Sequence, residues 1–314
     1  MKSINKLPAR PLAILLLIAL LLPMAASAEL VSAPDFREIL DEDPKAEYVN
    51  FSDTVIDSLD DFIAIAQKMP NLKKVDMFAT PVNADQIAQL EAALPDVKFG
   101  WTMTIACSNP AHPERKFHYI RTDATAFSTL HNSRCRVHSS EDFAILKYCE
   151  NLLGLDIGHN KVDDLSFLEY LPKLRVLIIG RNNITDLSPI RSCPDLEYLE
   201  AFTNSIESVE PLLSCPRLMD LNIPNNRIKD PELFAQMTSL RRLWAFNYAW
   251  RTTNRNYVPE DIKKLVKEAL PDCVVNFRNS GTNGWRENTD HYAVIYEMFN
   301  TGVYVPFAES APLE

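Results

Sequence analysis

The stretch LRVLIIGRNNITDLSPI, residues 174–190, decides the fold of this chain. Its apolar residues fall at Leu174, Leu177 and Ile179 and again at Ile184, Leu187 and Ile190, with Asn182 between the two groups. That spacing fits neither a helical stripe nor a long alternating strand. A step of 22 residues in either direction returns the same types: Leu152, Leu174, Leu196, Leu218 and Leu240 share one column, and Leu155, Leu177, Leu199, Leu221 and Leu243 another. Further columns run Ile157, Ile179, Ala201, Ile223, Ala245, then Asn160, Asn182, Asn204, Asn226, then Val162, Ile184, Ile206, Ile228. A fixed period of this length marks a stack of like units, none of which can bury its apolar face alone.

Each column has its own physical reason. The pair Leu177 and Ile179 belongs to a short parallel strand whose inward side chains fill a core while Ile178 points outward. The asparagine stands where the chain leaves the strand, and its amide can satisfy buried backbone groups of adjacent coils. Leu187, Pro189, Ile190 and Cys193 bring the chain back along the other side. The expected architecture is an α/β solenoid: a horseshoe with a parallel concave sheet, short helices or 3-10 turns on the convex side, and atypical N- and C-terminal caps.

Regular repeats span 133–256. Earlier rows are degenerate. Leu130, Cys135, His138 and Phe143 occupy the columns one row upstream; Leu72, Val75, Met77, Thr80 and Val82 form another row, with Val97 and Phe99 lying 22 residues after Val75 and Met77. Residues 48–56 read as a strand with its turn, and 58–68 and 83–94 have helical spacing, so degenerate repeats cover 48–101 after a linker at 29–47. Residues 102–132 break the period as an irregular excursion with a strand near 116–121. Ala-Leu-Pro-Asp at 269–272 repeats the same tetrapeptide at 93–96, a helix followed by an edge strand. Residues 257–314 are therefore expected to cap the open end, with a final helix over 292–299 lying across it.

Residues 146–233 resemble the bacterial 22-residue leucine-rich repeats of the internalin type, whose common form is LxxLxxLxIxxNxIxDLxPL. The resemblance is specific over about 110 residues. It implies a curved solenoid that binds protein on or outside a bacterial cell. No wall anchor of the surface-attached members is recognisable.

Composition excludes other classes. Glycine is scarce, 7 of 314 residues, with no GxGxxG or GxxxxGK[ST] spacing, which argues against nucleotide enzymes of those types. With 46% apolar and 24% charged residues the chain can bury a large core. Lys2, Lys6 and Arg10, the apolar run 12–22 and Ala26-Ser27-Ala28 have the form of a signal peptide, residues 1–28, cleaved after Ala28. The run is shorter than the ~20 residues a membrane span needs. Secretion or cell-surface association is expected, without stable membrane insertion. Cleavage removes three positive charges and takes the net charge from −10 to −13, which counts against nucleic-acid binding.

The outward strand positions assemble a candidate ligand site of Ile178, Tyr198, Phe202, Trp244 and Phe246, rimmed by Arg181, Glu200, Asp220, Asn222 and Arg242. Aromatic anchors with a charged rim are what protein interfaces use. Either a protein ligand covers these aromatics, or the C-terminal cap or the excursion folds over them. Gly158 and Gly180 leave room beside Phe202 for a groove. Cys149, Cys193 and Cys215 share an inward column and read as buried thiols, with a Cys193–Cys215 bond the lesser alternative. Cys107 and Cys135 are a candidate disulfide clamping the excursion. The excursion also concentrates Cys107, His112, His118, His131, Cys135 and His138, types that serve thiol or metal chemistry, but in no recognised spacing. The chain is accordingly read as a protein-binding module, not an enzyme, with no cofactor and no metal. A structural scaffold or assembly unit is the alternative.

Overall fold

The computed structural model describes residues 36–38, 43–80, 82–106, 117–129, 138–247, 255–278, 285, 290–310 and 312. The signal segment, Cys107, Cys135, His112 and His131 lie outside the described residues.

Two sheets are built. Strands β1 (Tyr48–Asn50), β2 (Lys74–Met77) and β3 (Lys98–Ala106) are parallel neighbours, and β4 (Phe117–Arg121) pairs antiparallel with β3. The second sheet is parallel throughout and has seven strands: β5 (Ala126–Ser128), β6 (Gly154–Asp156), β7 (Val176–Ile178), β8 (Tyr198–Glu200), β9 (Asp220–Asn222), β10 (Arg242–Trp244) and β11 (Val274–Asn276). Its register sets Gly154, Val176, Tyr198, Asp220 and Arg242 side by side, as the 22-residue step requires. The inward leucines 155, 177, 199, 221 and 243 are fully buried.

The return half of each regular coil is a 3-10 helix, such as Ser166–Tyr170, Ser188–Ser192 and Glu210–Ser214. Nearer the N-terminus it is an α-helix: α1 (Leu59–Ala66), capped by Ser58, and α2 (Ala84–Ala93), whose capping box joins Asn83 and Gln86. These longer helices lengthen the coil. Val75 pairs with Phe99 and Met77 with Trp101, a step of 24, so the 22-residue step expected for Val97 and Phe99 does not hold. The row at Leu130 and Cys135 is displaced for a similar reason. The strand lies at Ala126–Ser128, 28 residues before β6, while Phe143 and Leu146 keep the 22-residue step, so the added residues fall between strand and return turn.

At the C-terminal end α3 (Glu260–Ala269) leads into β11, which pairs with β10 and closes the sheet. The last helix, α4 (Asp290–Thr301), does not lie across this cap. It packs on the concave face at β5 and β6, where the absent side chain of Gly154 admits Met298: a Cβ there would stand 2.5 Å from the Met298 sulfur.

The asparagine column is a hydrogen-bond ladder. Asn204 accepts from the backbone N–H of Ile184 and Asn182 (both 3.1 Å) and donates to the carbonyls of Ile179 (3.0 Å) and Ala201 (3.1 Å). Asn182 and Asn226 repeat the pattern, and Asn160 accepts from His138 N–H. Each rung follows a residue of positive φ: His159, Arg181, Thr203 and Asn225, at 53–61°. The N–H of each of these bonds a carbonyl of the next coil, which helps offset the left-handed backbone. A fifth rung, Asn256, stands 30 residues after Asn226 and takes the N–H of Ile228 while donating to the Ile223 carbonyl.

Removing a rung orphans several buried backbone groups, each costing about 1–3 kcal/mol. Asn204→Ala is expected to lower unfolding stability by about 3 kcal/mol in urea titrations, whereas Asn183→Ala, at an exposed neighbour, should change it by less than about 0.5 kcal/mol.

Candidate functional site

The concave side chains expected to meet a ligand are brought together, and the chain's own C-terminal segment lies on them. Tyr198, Trp244 and Phe246 are buried in a cluster with Trp285, Ile295, Met298, Phe299, Tyr304 and Phe307. Ile178 packs against this cluster from its edge. Glu200, Asp220 and Asn222 are also buried, Arg242 is partly so, and Arg181 is exposed. The expected groove beside Phe202 is filled. The Phe202 ring lies on Gly180, where an added Cβ would come within 2.4 Å of it. Of the two occupants the sequence left open, the structure places the C-terminal segment on the cluster. The reason is physical: this many apolar and aromatic groups on one sheet face gain by leaving water, and a segment carrying Trp285, Met298 and Phe307 is tethered within reach.

Polar contacts fix the segment in place. The Trp285 indole N–H donates to the Tyr198 hydroxyl (2.8 Å) and to Glu200 (3.0 Å), and the Tyr198 hydroxyl donates to Glu200 in turn. Arg242 forms a two-pronged pair with Asp220 (2.8 Å for both bonds), donates to the Trp285 carbonyl (3.0 Å) and stacks its guanidinium over the indole at 4.2 Å. His291 bridges Asp220 (2.5 Å) and Glu309 (3.0 Å) while stacking on Phe307. Beyond the helix, the Ser310 hydroxyl donates to Glu197, itself paired with the buried Arg175, whose second arm reaches the Pro312 carbonyl.

These contacts move proton affinities. Hydrogen bonding to Asp220, with Glu309 assisting, raises His291 above its ordinary 6.5 against the opposing effect of burial. Burial disfavours the Asp220 carboxylate, yet its bonds to Arg242 and His291 outweigh this and lower its pKa. Burial and the neighbouring Glu200 push the Tyr198 hydroxyl well up, so it stays protonated.

Residues 172–214 match the family profile for leucine-rich repeats in two copies. These coils are leucine-rich repeats. Solved structures similar to the chain include internalin C2 of Listeria monocytogenes, 20% identical over 62% of this chain and 78% of that one, TM-score 0.35. An internalin (inlF) of the same species is 19% identical over 70% and 71%, TM-score 0.41. The ectodomain of the Arabidopsis receptor kinase HAESA, solved with a peptide hormone, is 24% identical over 45% of this chain and 24% of that one, TM-score 0.35. No curated relative matches. Leucine-rich-repeat solenoids as a class present extended concave binding surfaces.

Within the repeats Cys149, Cys193 and Cys215 are free, buried thiols, and Cys193 and Cys215 are not joined. Burial pushes them up to about 12, 12 and 11, which removes thiolate character at neutral pH. The described residues contain no helix long and apolar enough to cross a membrane. Two participants escaped the sequence reading. Trp285 sits far from the repeats in sequence and has no periodic signature, and His291 lies beside an aspartate that the sequence assigned to a rim.

The contribution of His291 is fully present below its unfolded value of about 6.5 and fades as pH rises through its higher folded value. Asp220 and Glu309, both lowered, contribute above their unfolded values of 3.8 and 4.5 and lose this as pH falls through their folded ones. Hydrogen-exchange protection of residues 290–310 should therefore peak between about pH 5 and 6. In His291→Gln the alkaline decline should flatten, and an unchanged decline would assign it to another group.

Proposed function

We propose that this is an exported bacterial protein-binding module whose concave leucine-rich-repeat face holds a polypeptide segment by the cluster Ile178, Tyr198, Phe202, Trp244 and Phe246. Arg181, Glu200, Asp220, Asn222 and Arg242 supply its polar contacts. The observation that carries this reading is that the face already holds a polypeptide, the segment 285–312, by buried aromatic anchors and charge-assisted bonds of the kind interfaces use. A ligand would offer similar chemistry and take the place of this segment. Two buried polar atoms at the seam, Trp244 Nε1 and the Tyr304 hydroxyl, lack hydrogen-bond partners, and each such loss weakens the seam by roughly 1–3 kcal/mol. The reading includes export through residues 1–28 and assigns no catalysis.

The scaffold alternative draws on the open edge at β11, where Val274 is 59% exposed. Light scattering separates the two, since assembly through that edge raises the mass with concentration.

A protease site placed between Arg278 and Trp285 allows the full chain to be nicked after folding. The nicked protein is expected to keep its repeat circular dichroism while exchanging its own segment for a labelled peptide of residues 285–312, with a Tyr198→Ala/Trp244→Ala pair weakening peptide capture by about tenfold or more. Collapse of the repeats on loss of the segment would make it core and end the binding reading.

A further inference from the structure

A second polar cluster stands away from the concave site. His118 on β4 and His138, at the entry to the 3-10 helix Ser140–Tyr148, bring their imidazoles to 5.0 Å between centroids at a tilt of 59°. Both side chains are buried, 5% and 1% exposed. Phe127 meets the His118 ring edge-on at 6.2 Å, and Phe143 meets the His138 ring at 5.6 Å. In this apolar surround His118 Nε2 and both ring nitrogens of His138 have no hydrogen-bond partner. The nearest carboxylate oxygen given for the pair, Asp142 Oδ2, is 3.6 Å from His138 Nδ1 and accepts from the Ser139 N–H instead.

Buried imidazoles ordinarily have their nitrogens satisfied, and an orphan costs roughly 1–3 kcal/mol. Three orphaned nitrogens on two touching rings therefore require an explanation. Burial drives His118 down to about 4 and lowers His138, so both rings are neutral at neutral pH and each keeps a free lone pair. Neutral imidazole is the preferred nitrogen ligand of zinc and its neighbours. Two imidazoles on one tetrahedral ion, with metal–nitrogen bonds of about 2.0–2.1 Å, have centroids roughly 5 Å apart. The observed separation has that value before any ion is supplied.

We propose that His118 and His138 are two ligands of a transition-metal site, with zinc the ion it takes. Among the described residues no third His, Cys, Asp or Glu converges with the pair, so the remaining positions go to water or to a ligand outside those residues. The ion would tie β4 to the first coil of the seven-stranded sheet, where Asn160 bonds the His138 N–H at 3.1 Å.

The test uses the full chain without a histidine tag, stripped with chelator. Cobalt(II), as a spectroscopic stand-in, is expected to give one equivalent of a d–d absorption band that zinc abolishes, and zinc should raise the melting midpoint. His118→Phe and His138→Phe, which keep the aromatic packing, should each weaken binding by about tenfold or more, while His291→Gln leaves it unchanged. Should the phenylalanine variants fail to fold, proton spectra of the cobalt-loaded wild-type chain count the histidine ligands through paramagnetically shifted imidazole N–H resonances, of which at least two are expected. Absence of a one-equivalent band, its persistence in the folded double variant, or fewer than two shifted imidazole resonances would overturn the proposal.

Discussion

The carboxamide at the start of each return turn is the group on which the rest of the array depends. A three-residue strand satisfies only its own few backbone groups, and the turn that follows must enter a left-handed residue to change direction. Buried N–H and C=O groups are left at that corner, on two successive coils at once. An amide alone offers a donor pair and an acceptor on one short side chain. Asn182, Asn204 and Asn226 use both ends, donating to their own strand and the preceding one while accepting from the preceding coil. Because each rung bonds its neighbour, the spacing between coils is fixed, and the strand register with its outward columns follows from it.

That register creates the concave face and also its problem. Parallel strands lie about 4.8 Å apart, so outward side chains of successive coils touch, and Val176, Tyr198, Trp244 and Phe246 form an apolar surface. Glycine is used sparingly, and two of its positions decide what can rest on that surface. At Gly154 the absent side chain admits Met298, and at Gly180 it admits Phe202. The left-handed corners of the regular coils, by contrast, are occupied by His159, Arg181, Thr203 and Asn225, so the scarcity of glycine reflects a backbone stabilised by hydrogen bonds at places where glycine is the usual choice.

Most of the repeat architecture was legible because a period amplifies a weak signal: one leucine means little, but five at 22-residue intervals fix strand, turn and register. Legibility failed where the period did. The step of 24 between β2 and β3 follows from α-helical return segments, whose extra length leaves no periodic mark. Asn256 was missed because the chain runs 30 residues before reaching the next rung, although its bonding is that of the others. The ten concave residues were identified by type and column, but their covering was not, since Trp285, His291 and Phe307 meet them through contacts 43 to 113 residues long in sequence. The pairing of His118 with His138 is likewise a product of the antiparallel β3–β4 turn, which no repeat column describes.

The two hydrophobic clusters differ in kind, and that difference bears on what the concave face is for. The larger one runs between strands and return turns and is assembled from every coil through the inward columns, so each residue in it is backed by the ladder beside it. The smaller one has the repeats on one side and the segment 285–310 on the other, joined by side-chain bonds and by few backbone ones, among them Ala126 N–H to the Gly302 carbonyl. Loss of the segment would remove none of the ladder bonds and none of the inward leucines. It would expose aromatic side chains, an acidic pair at Glu200 and Asp220, and Arg242 on a face whose backbone is already fixed. A surface that keeps its shape without its occupant, and whose occupant is held through anchors and paired charges, has the physical make-up of a preorganised binding face.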